Sequence, residues 1–77
     1  MGTEDKRVLE LVAKVARKDV AAVSPDLRIA EDLGVKSVGR IELAALLEDE
    51  LGVEIGNFEM RKPKTVREVI GLVNSKL

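Results

Sequence analysis

The sequence has 77 residues, 45% of them hydrophobic and 35% charged, which is the profile of one small folded domain. The absence of Cys and His excludes a thiol nucleophile, a disulfide, a thiolate metal site and the commonest general base. The net charge of −1 argues against broad electrostatic capture of nucleic acid. No apolar run approaches the ~20 residues that span a bilayer, and no signal-peptide pattern is present. We therefore expect a cytoplasmic chain with no membrane insertion, no catalytic residues and no metal site.

The first predicted element is a helix from about Glu4 to Arg17, with Thr3 as its N-cap. Its apolar residues follow the i, i+3, i+4 and i+7 spacing of one helical face, namely Val8, Leu11, Val12 and Val15. Because β-branched residues are weak helix formers, this helix must depend on the packing of that face.

A long connection follows, from about Lys18 to Lys36. Ser24-Pro25-Asp26 predicts a turn, and Asp32-Leu33-Gly34 predicts a second turn in which Gly34 can adopt a positive φ. Apolar residues recur through the connection, so we expect it to pack against the core through Leu27, Ile29, Leu33 and Val35.

The second predicted helix runs from about Ser37 to Leu51 and ends at Gly52, because glycine is the usual residue after a helix. Its apolar residues cover most of its circumference, namely Val38, Ile41, Leu43, Ala44, Ala45, Leu46, Leu47 and Leu51. A helix of this kind is expected to lie centrally and to contact several neighbours.

The remaining residues predict a short helical turn and a third long helix. Asn57 is expected to cap the short turn, which ends before Pro63, and Thr65 with Glu68 forms a predicted capping box for the last helix. The buried stripe of that helix is Val66, Val69, Ile70 and Val73. Phe58 is the only aromatic residue, so the core must consist of aliphatic side chains. The fold class is therefore all-α, a bundle of three main helices plus one short helix in a single domain, residues 1–77.

Ser37 is the residue with the clearest chemical potential. It follows a turn and begins the most apolar helix, where backbone N–H groups and the helix dipole favour an attached phosphate. Serine at a helix start is more often a simple N-cap, and the residues alone favour that interpretation.

Residues 32–43, DLGVKSVGRIEL, resemble the acyl carrier protein family, in which the usual pattern is D-L-G-x-D-S-L-x-x-V-E-L. The resemblance continues through residues 47–55, with an acidic helix end and a following Ile, and through Thr-Val-Arg-Glu-Val-Ile at residues 65–70. The ungapped spacing from Ser37 to Thr65 is more specific than any single motif, and the similarity covers nearly the whole chain.

This resemblance implies an acyl-carrier-like bundle and a carrier function. A phosphopantetheinyl transferase would join 4′-phosphopantetheine from coenzyme A to Ser37 through a phosphodiester. Acyl groups would then be held as thioesters and presented to acyl-transferring or synthase enzymes, so the chain itself would be a monomeric carrier and not an enzyme. The thiol would come from the attached group, which agrees with the absence of Cys.

Several residues depart from the family pattern near Ser37. Lys36 replaces the usual Asp, Gly39 and Arg40 stand where acidic or small polar residues are common, and residues 55–58 replace Ile-Pro-Asp-Glu. The predicted partner-docking residues are Lys36, Val38, Arg40, Ile41, Glu42, Glu48 and Asp49. Because the start of this surface is basic, we expect partners with a mixed or acidic docking site, in a specialised lipid or secondary-metabolite pathway.

The resemblance also implies space for an acyl chain between the helices. The predicted lining residues are Ile41, Ala44, Ala45, Leu47, Ile55, Met60 and Ile70. The simpler interpretation is that these residues form an ordinary core.

Three other functions are compatible with a small helical chain of this kind. The same carrier chemistry could serve a peptidyl, aminoacyl or polyketide cargo. An unmodified helical protein-docking module would keep the fold without the attachment. A small DNA-binding domain is disfavoured by the net charge, and the basic run at residues 61–64 has no interleaved aromatic residues for stacking on bases.

Overall fold

The structure, a computed structural model, describes residues 3–77, with side chains from Asp5 onward. It contains α1 (Thr3–Ala16), a 3-10 turn (Val20–Ala22), α2 (Ser37–Leu51), α3 (Asn57–Arg61) and α4 (Val66–Lys76). The predicted all-α bundle of three main helices, one short helix and a long first loop is confirmed. The predicted Thr3 cap lies outside the side chains that the structure describes. No helix within residues 3–77 has both the length and the apolar character needed to cross a lipid bilayer.

The core is aliphatic and draws on every helix and on the long connection. Its most deeply buried side chains are Val8, Val12, Ile29, Leu43, Leu47, Met60, Val66, Val69 and Val73. No polar or charged residue among those described is buried. As expected for a chain with one aromatic residue, packing of branched aliphatic side chains holds the bundle together.

The predicted contacts of α2 with several neighbours are present, since it packs against both α1 and α3, but only one side of α2 belongs to the core. Leu43, Ala44 and Leu47 are buried, whereas Val38 is 78% exposed and Ile41 is 53% exposed. The physical reason is that α2 packs mainly against α1 and α3, which cover a single side of it. Val38 and Ile41 therefore lie at the surface, whereas Leu43 and Ala44 face the core.

The long connection packs against the bundle as predicted. Ile29, Leu33 and Val35 are buried. The Ile29 N–H donates to the Lys64 carbonyl oxygen at 2.9 Å, and the Val66 N–H donates to the Leu27 carbonyl oxygen at 3.0 Å. These bonds fasten the connection to the segment that leads into α4.

Most predicted helix ends are also found. Gly52 follows α2 with φ 69°, Gly34 has φ 69° in its turn, and the Thr65 Oγ1 accepts a hydrogen bond from the Glu68 N–H at 3.2 Å. The predicted Asn57 cap is displaced by one residue, since Gly56 is the N-cap of α3. The reason is Glu59, whose carboxylate accepts from the Gly56 N–H at 3.1 Å and satisfies that backbone group itself.

Candidate functional site

Ser37 is the first residue of α2 and is exposed. The N-cap position belongs to Lys36, whose extended backbone has φ −107° and ψ −160° and whose side chain makes no capping bond. No group among residues 5–77 forms a hydrogen bond with the Ser37 hydroxyl. The interpretation of Ser37 as an N-cap therefore does not hold, and its hydroxyl is exposed to solvent.

The backbone that leads to Ser37 is held by a polar contact in the preceding turn. The Asp32 carboxylate accepts from the Arg28 N–H at 2.7 Å and from the Arg28 guanidinium at 3.3 Å. These hydrogen bonds, first those of the guanidinium and then that of the backbone, lower the pKa of Asp32 below its usual value. The Val35 N–H donates to the Ile29 carbonyl oxygen at 3.0 Å, so the turn is closed immediately before Lys36.

Gly39 allows the first helical turn of α2 to lie close to Val35, in the loop that precedes the helix. A Cβ atom at Gly39 would lie 2.8 Å from the Cγ1 atom of Val35. That distance is shorter than carbon–carbon contacts allow, and Val35 is buried and cannot move freely. The departure from the family pattern at this position is therefore a packing requirement of this chain.

Arg40 joins α2 to the end of α3. Its Nη1 atom donates to the Met60 carbonyl oxygen at 3.0 Å and to the Pro63 carbonyl oxygen at 2.6 Å, and the side chain is half-buried. The guanidinium thereby satisfies one carbonyl group in the last turn of α3 and a second one just beyond the end of that helix. The sequence singled out Arg40 only as a docking cation, and the structure adds this second role.

A surface cavity of about 510 Å³ lies beside Ser37 and is called the Ser37 cavity below. Besides Ser37 it is lined by Lys36, Arg40, Ile41, Asn57, Met60 and Arg61, together with Ala30. Its wall combines apolar atoms with cationic and amide groups.

The predicted acyl-pocket residues divide into three groups. Ile41 and Met60 line the Ser37 cavity. Ala44, Leu47, Ile55 and Ile70 are buried in the core. Ala45 is exposed, on a part of α2 that the other helices do not cover, so the structure does not bring it together with the other candidates.

The predicted docking residues are largely accessible. Lys36, Val38, Ile41, Glu42 and Asp49 are exposed on α2 or directly before it. Two others also have internal partners: Arg40 as described above, and Glu48, whose Oε2 accepts from the Ile55 N–H at 2.9 Å.

Phe58 is a surface residue that the sequence analysis did not single out for the site. Its side chain is 80% exposed, and the Arg61 guanidinium carbon lies 5.6 Å from the ring centroid, within range of a cation–π contact. A helix of five residues can bury few side chains, and in α3 the buried side chain is that of Met60. The only usable signal in the sequence was the rarity of aromatic residues in this chain.

The site fits a phosphopantetheine group attached through phosphate. It offers an exposed hydroxyl, an adjacent cavity and cationic side chains, which suit a phosphodiester anion. A metal centre has no comparable support, since no three acidic side chains converge within the described residues.

Comparison with known proteins agrees with this geometry. The model of the family described as "Phosphopantetheine attachment site" matches residues 6–73. The acyl carrier protein of Thermosynechococcus vestitus is 39% identical over 72 residues, which cover 94% of this chain and 89% of that protein. The acyl carrier protein of Rickettsia typhi is 38% identical over 79 residues, which cover 99% of this chain and 92% of that protein. The chain therefore belongs to the acyl carrier protein family, whose members are non-catalytic carriers of phosphopantetheine.

Proposed function

We propose that Ser37 is the attachment residue for 4′-phosphopantetheine and that the chain presents thioester-bound acyl groups to partner enzymes. The observation that carries this proposal is the exposed Ser37 hydroxyl, which has no hydrogen-bond partner among residues 5–77 although it lies at the start of a helix. The attached group supplies the thiol that a chain without Cys lacks. The chain's own contribution is to hold Ser37 at a defined surface position through the contacts of Asp32, Gly39 and Arg40.

Attachment is tested by incubating the unmodified protein with coenzyme A and a promiscuous phosphopantetheinyl transferase, followed by measurement of intact mass. Wild type should gain one phosphopantetheine, and Ser37→Ala should gain none. Ser24→Ala is the matched control, because Ser24 is also exposed but lies in the long connection. An adduct on Ser37→Ala would disprove the assignment. The complete absence of modification in wild type would support an unmodified docking module instead.

The cargo is proposed to enter first through the Ser37 cavity. Ile41 and Met60 offer apolar contact there, whereas Leu47, Ile55 and Ile70 lie in a closed core. The Arg40 bonds to the end of α3 hold α2 and α3 together, so deeper entry requires that these bonds break. An acylated form should therefore perturb the methyl NMR signals of Ile41 and Met60 and leave that of Ile70 unchanged. Perturbation at Ile70 alone would contradict this route.

We also infer a docking preference from the charge beside Ser37. Lys36 is exposed, and among the described residues it takes part in no ion pair. A positive charge next to the attachment residue disfavours a basic docking site and favours a mixed or acidic one. This preference supports a specialised lipid or secondary-metabolite pathway, because partners of general fatty-acid synthesis are expected to accept acidic carriers.

Lys36→Asp tests this preference in rates of modification and acylation by housekeeping fatty-acid enzymes. The variant should be used several-fold faster than wild type at low salt, with the difference shrinking as salt rises. Lys62→Asp is the control, since Lys62 is exposed but does not line the Ser37 cavity. Equal rates for wild type and Lys36→Asp would show that the basic residue has no influence on partner choice.

A further inference from the structure

The charge around the Ser37 cavity is one-sided. Lys36, Arg40 and Arg61 line it, and none of its lining residues among those described is acidic. This occurs in a chain whose net charge is −1. A cavity with cations on both walls and no carboxylate to neutralise them favours an anionic ligand.

The three cationic side chains differ in how many of their hydrogen-bond donors already have a partner within the protein. Arg40 donates to the Met60 and Pro63 carbonyl oxygens. Lys36 and Arg61 are exposed and take part in no ion pair within residues 5–77. The contact of Arg61 with the Phe58 ring restricts its guanidinium without using its hydrogen-bond donors.

We propose that Lys36 and Arg61 bind the phosphodiester of the phosphopantetheine group and direct the first part of this arm into the cleft between α2 and α3. The inference rests on the proposed attachment at Ser37. A phosphodiester on the Ser37 oxygen places one negative charge at the mouth of a cavity that both cations line. The lysine ammonium contributes a point charge, and the arginine fork can donate two parallel hydrogen bonds to phosphate oxygens.

The expected effect concerns the orientation of the arm. Both cations are exposed, so each contact is partly screened by solvent and salt. Together they should raise the ratio of bound to free arm by roughly two- to tenfold at low salt. An arm held in this way lies along α3, near Asn57, before a partner enzyme draws it out.

The experiment measures arm mobility in the absence of any partner enzyme. Coenzyme A labelled on its thiol with a nitroxide is used to load wild type, Lys36→Gln/Arg61→Gln and Lys62→Gln, and loading is verified by mass. Electron paramagnetic resonance then reports rotation of the label at about 0.05 and about 0.5 M salt. Wild type and Lys62→Gln should show a slow component at low salt that diminishes at high salt. The double variant should lose most of that component and its dependence on salt.

Equal mobility of wild type and the double variant at low salt would overturn this inference while leaving attachment at Ser37 intact. A slow component that persists unchanged at high salt would also overturn it, because contacts between exposed charges are screened. Failure of wild type to load would overturn the attachment itself, and this inference with it.

Discussion

Arg40→Met is the most informative substitution for the architecture of the site. Methionine keeps an unbranched side chain that can pack where the arginine stem lies, but it removes both hydrogen bonds to the Met60 and Pro63 carbonyl oxygens. A hydrogen bond contributes about 0.5–1.5 kcal/mol net, and somewhat more when the donor is charged. Because the Arg40 side chain is only half-buried, water can replace part of the loss. We expect the free energy of unfolding to fall by about 1–3 kcal/mol.

For a domain of this size, a loss of 1 kcal/mol lowers Tm by roughly 4–8 °C, so Arg40→Met should lower it by roughly 5–20 °C. Calorimetry or denaturant titration gives this value, and amide hydrogen exchange adds a local readout. The amides of α3 should lose more protection than those of α1, because Arg40 binds the end of α3. Arg61→Met is the control, since Arg61 is exposed and makes no such bonds. A Tm for Arg40→Met equal to that of the control, with unchanged exchange in α3, would refute the role assigned to Arg40.

The other predictions concern helix ends and acid stability. Thr65→Ala should lower the free energy of unfolding by about 0.5–2 kcal/mol, and Tm by several degrees, because the Thr65 side chain caps the Glu68 N–H. Thr65→Ser should retain most of the wild-type stability. An unchanged Tm in Thr65→Ala would contradict the cap. Arg17→Gly should raise stability by up to about 1 kcal/mol in denaturant titrations, because Arg17 has φ 57°, a left-handed conformation that glycine adopts without strain. Arg17→Ala should show no such gain, and equal gains would exclude backbone strain as the cause. Arg28 lowers the pKa of Asp32, and the hydrogen bond and ion pair with Lys76 lower the pKa of Glu59. The contribution of these carboxylates to folding stability is therefore complete above the ordinary carboxyl pKa of about 4. It is lost as the pH falls through the lowered pKa values. Tm should therefore fall below about pH 4, and Asp32→Asn with Glu59→Gln should make it less dependent on pH there; an identical pH profile would show that these contacts do not stabilise the fold.

Local signals in the sequence predicted the parts of the fold that depend on neighbouring residues. The Thr65 cap, the left-handed Gly52 and the turn at Gly34 each require only a few consecutive residues, and all three are present. The burial of Ile29 and Val35 could also be predicted, because apolar residues that recur in a long connection seldom remain in solvent.

Features that depend on distant contacts could not be predicted in this way. The Arg40 donors reach carbonyl groups 20 and 23 residues further along the chain, and no local pattern marks those partners. The need for Gly39 arises only from the approach of Val35. For α2, periodicity could not decide which side faces the core, because apolar residues surround that helix and only tertiary packing selects Leu43, Ala44 and Leu47.

The residues around Ser37 divide by role along a short stretch of sequence. Asp32, Val35, Gly39 and Arg40 fix the backbone through hydrogen bonds or close packing. Lys36, Val38 and Ile41 alternate with them and are exposed.

Substitutions at the exposed positions can therefore change what the surface attracts while leaving the position of Ser37 unaltered. Substitutions at Gly39 or Arg40 are expected to displace Ser37, because these two positions hold α2 against the preceding turn and against α3. This separation explains how the chain can keep the fold of its family with Lys36 in place of the usual acid. A cation at this N-cap position opposes the helix dipole, but at an exposed site that costs only about 0.3–1 kcal/mol, so the fold tolerates either sign of charge there.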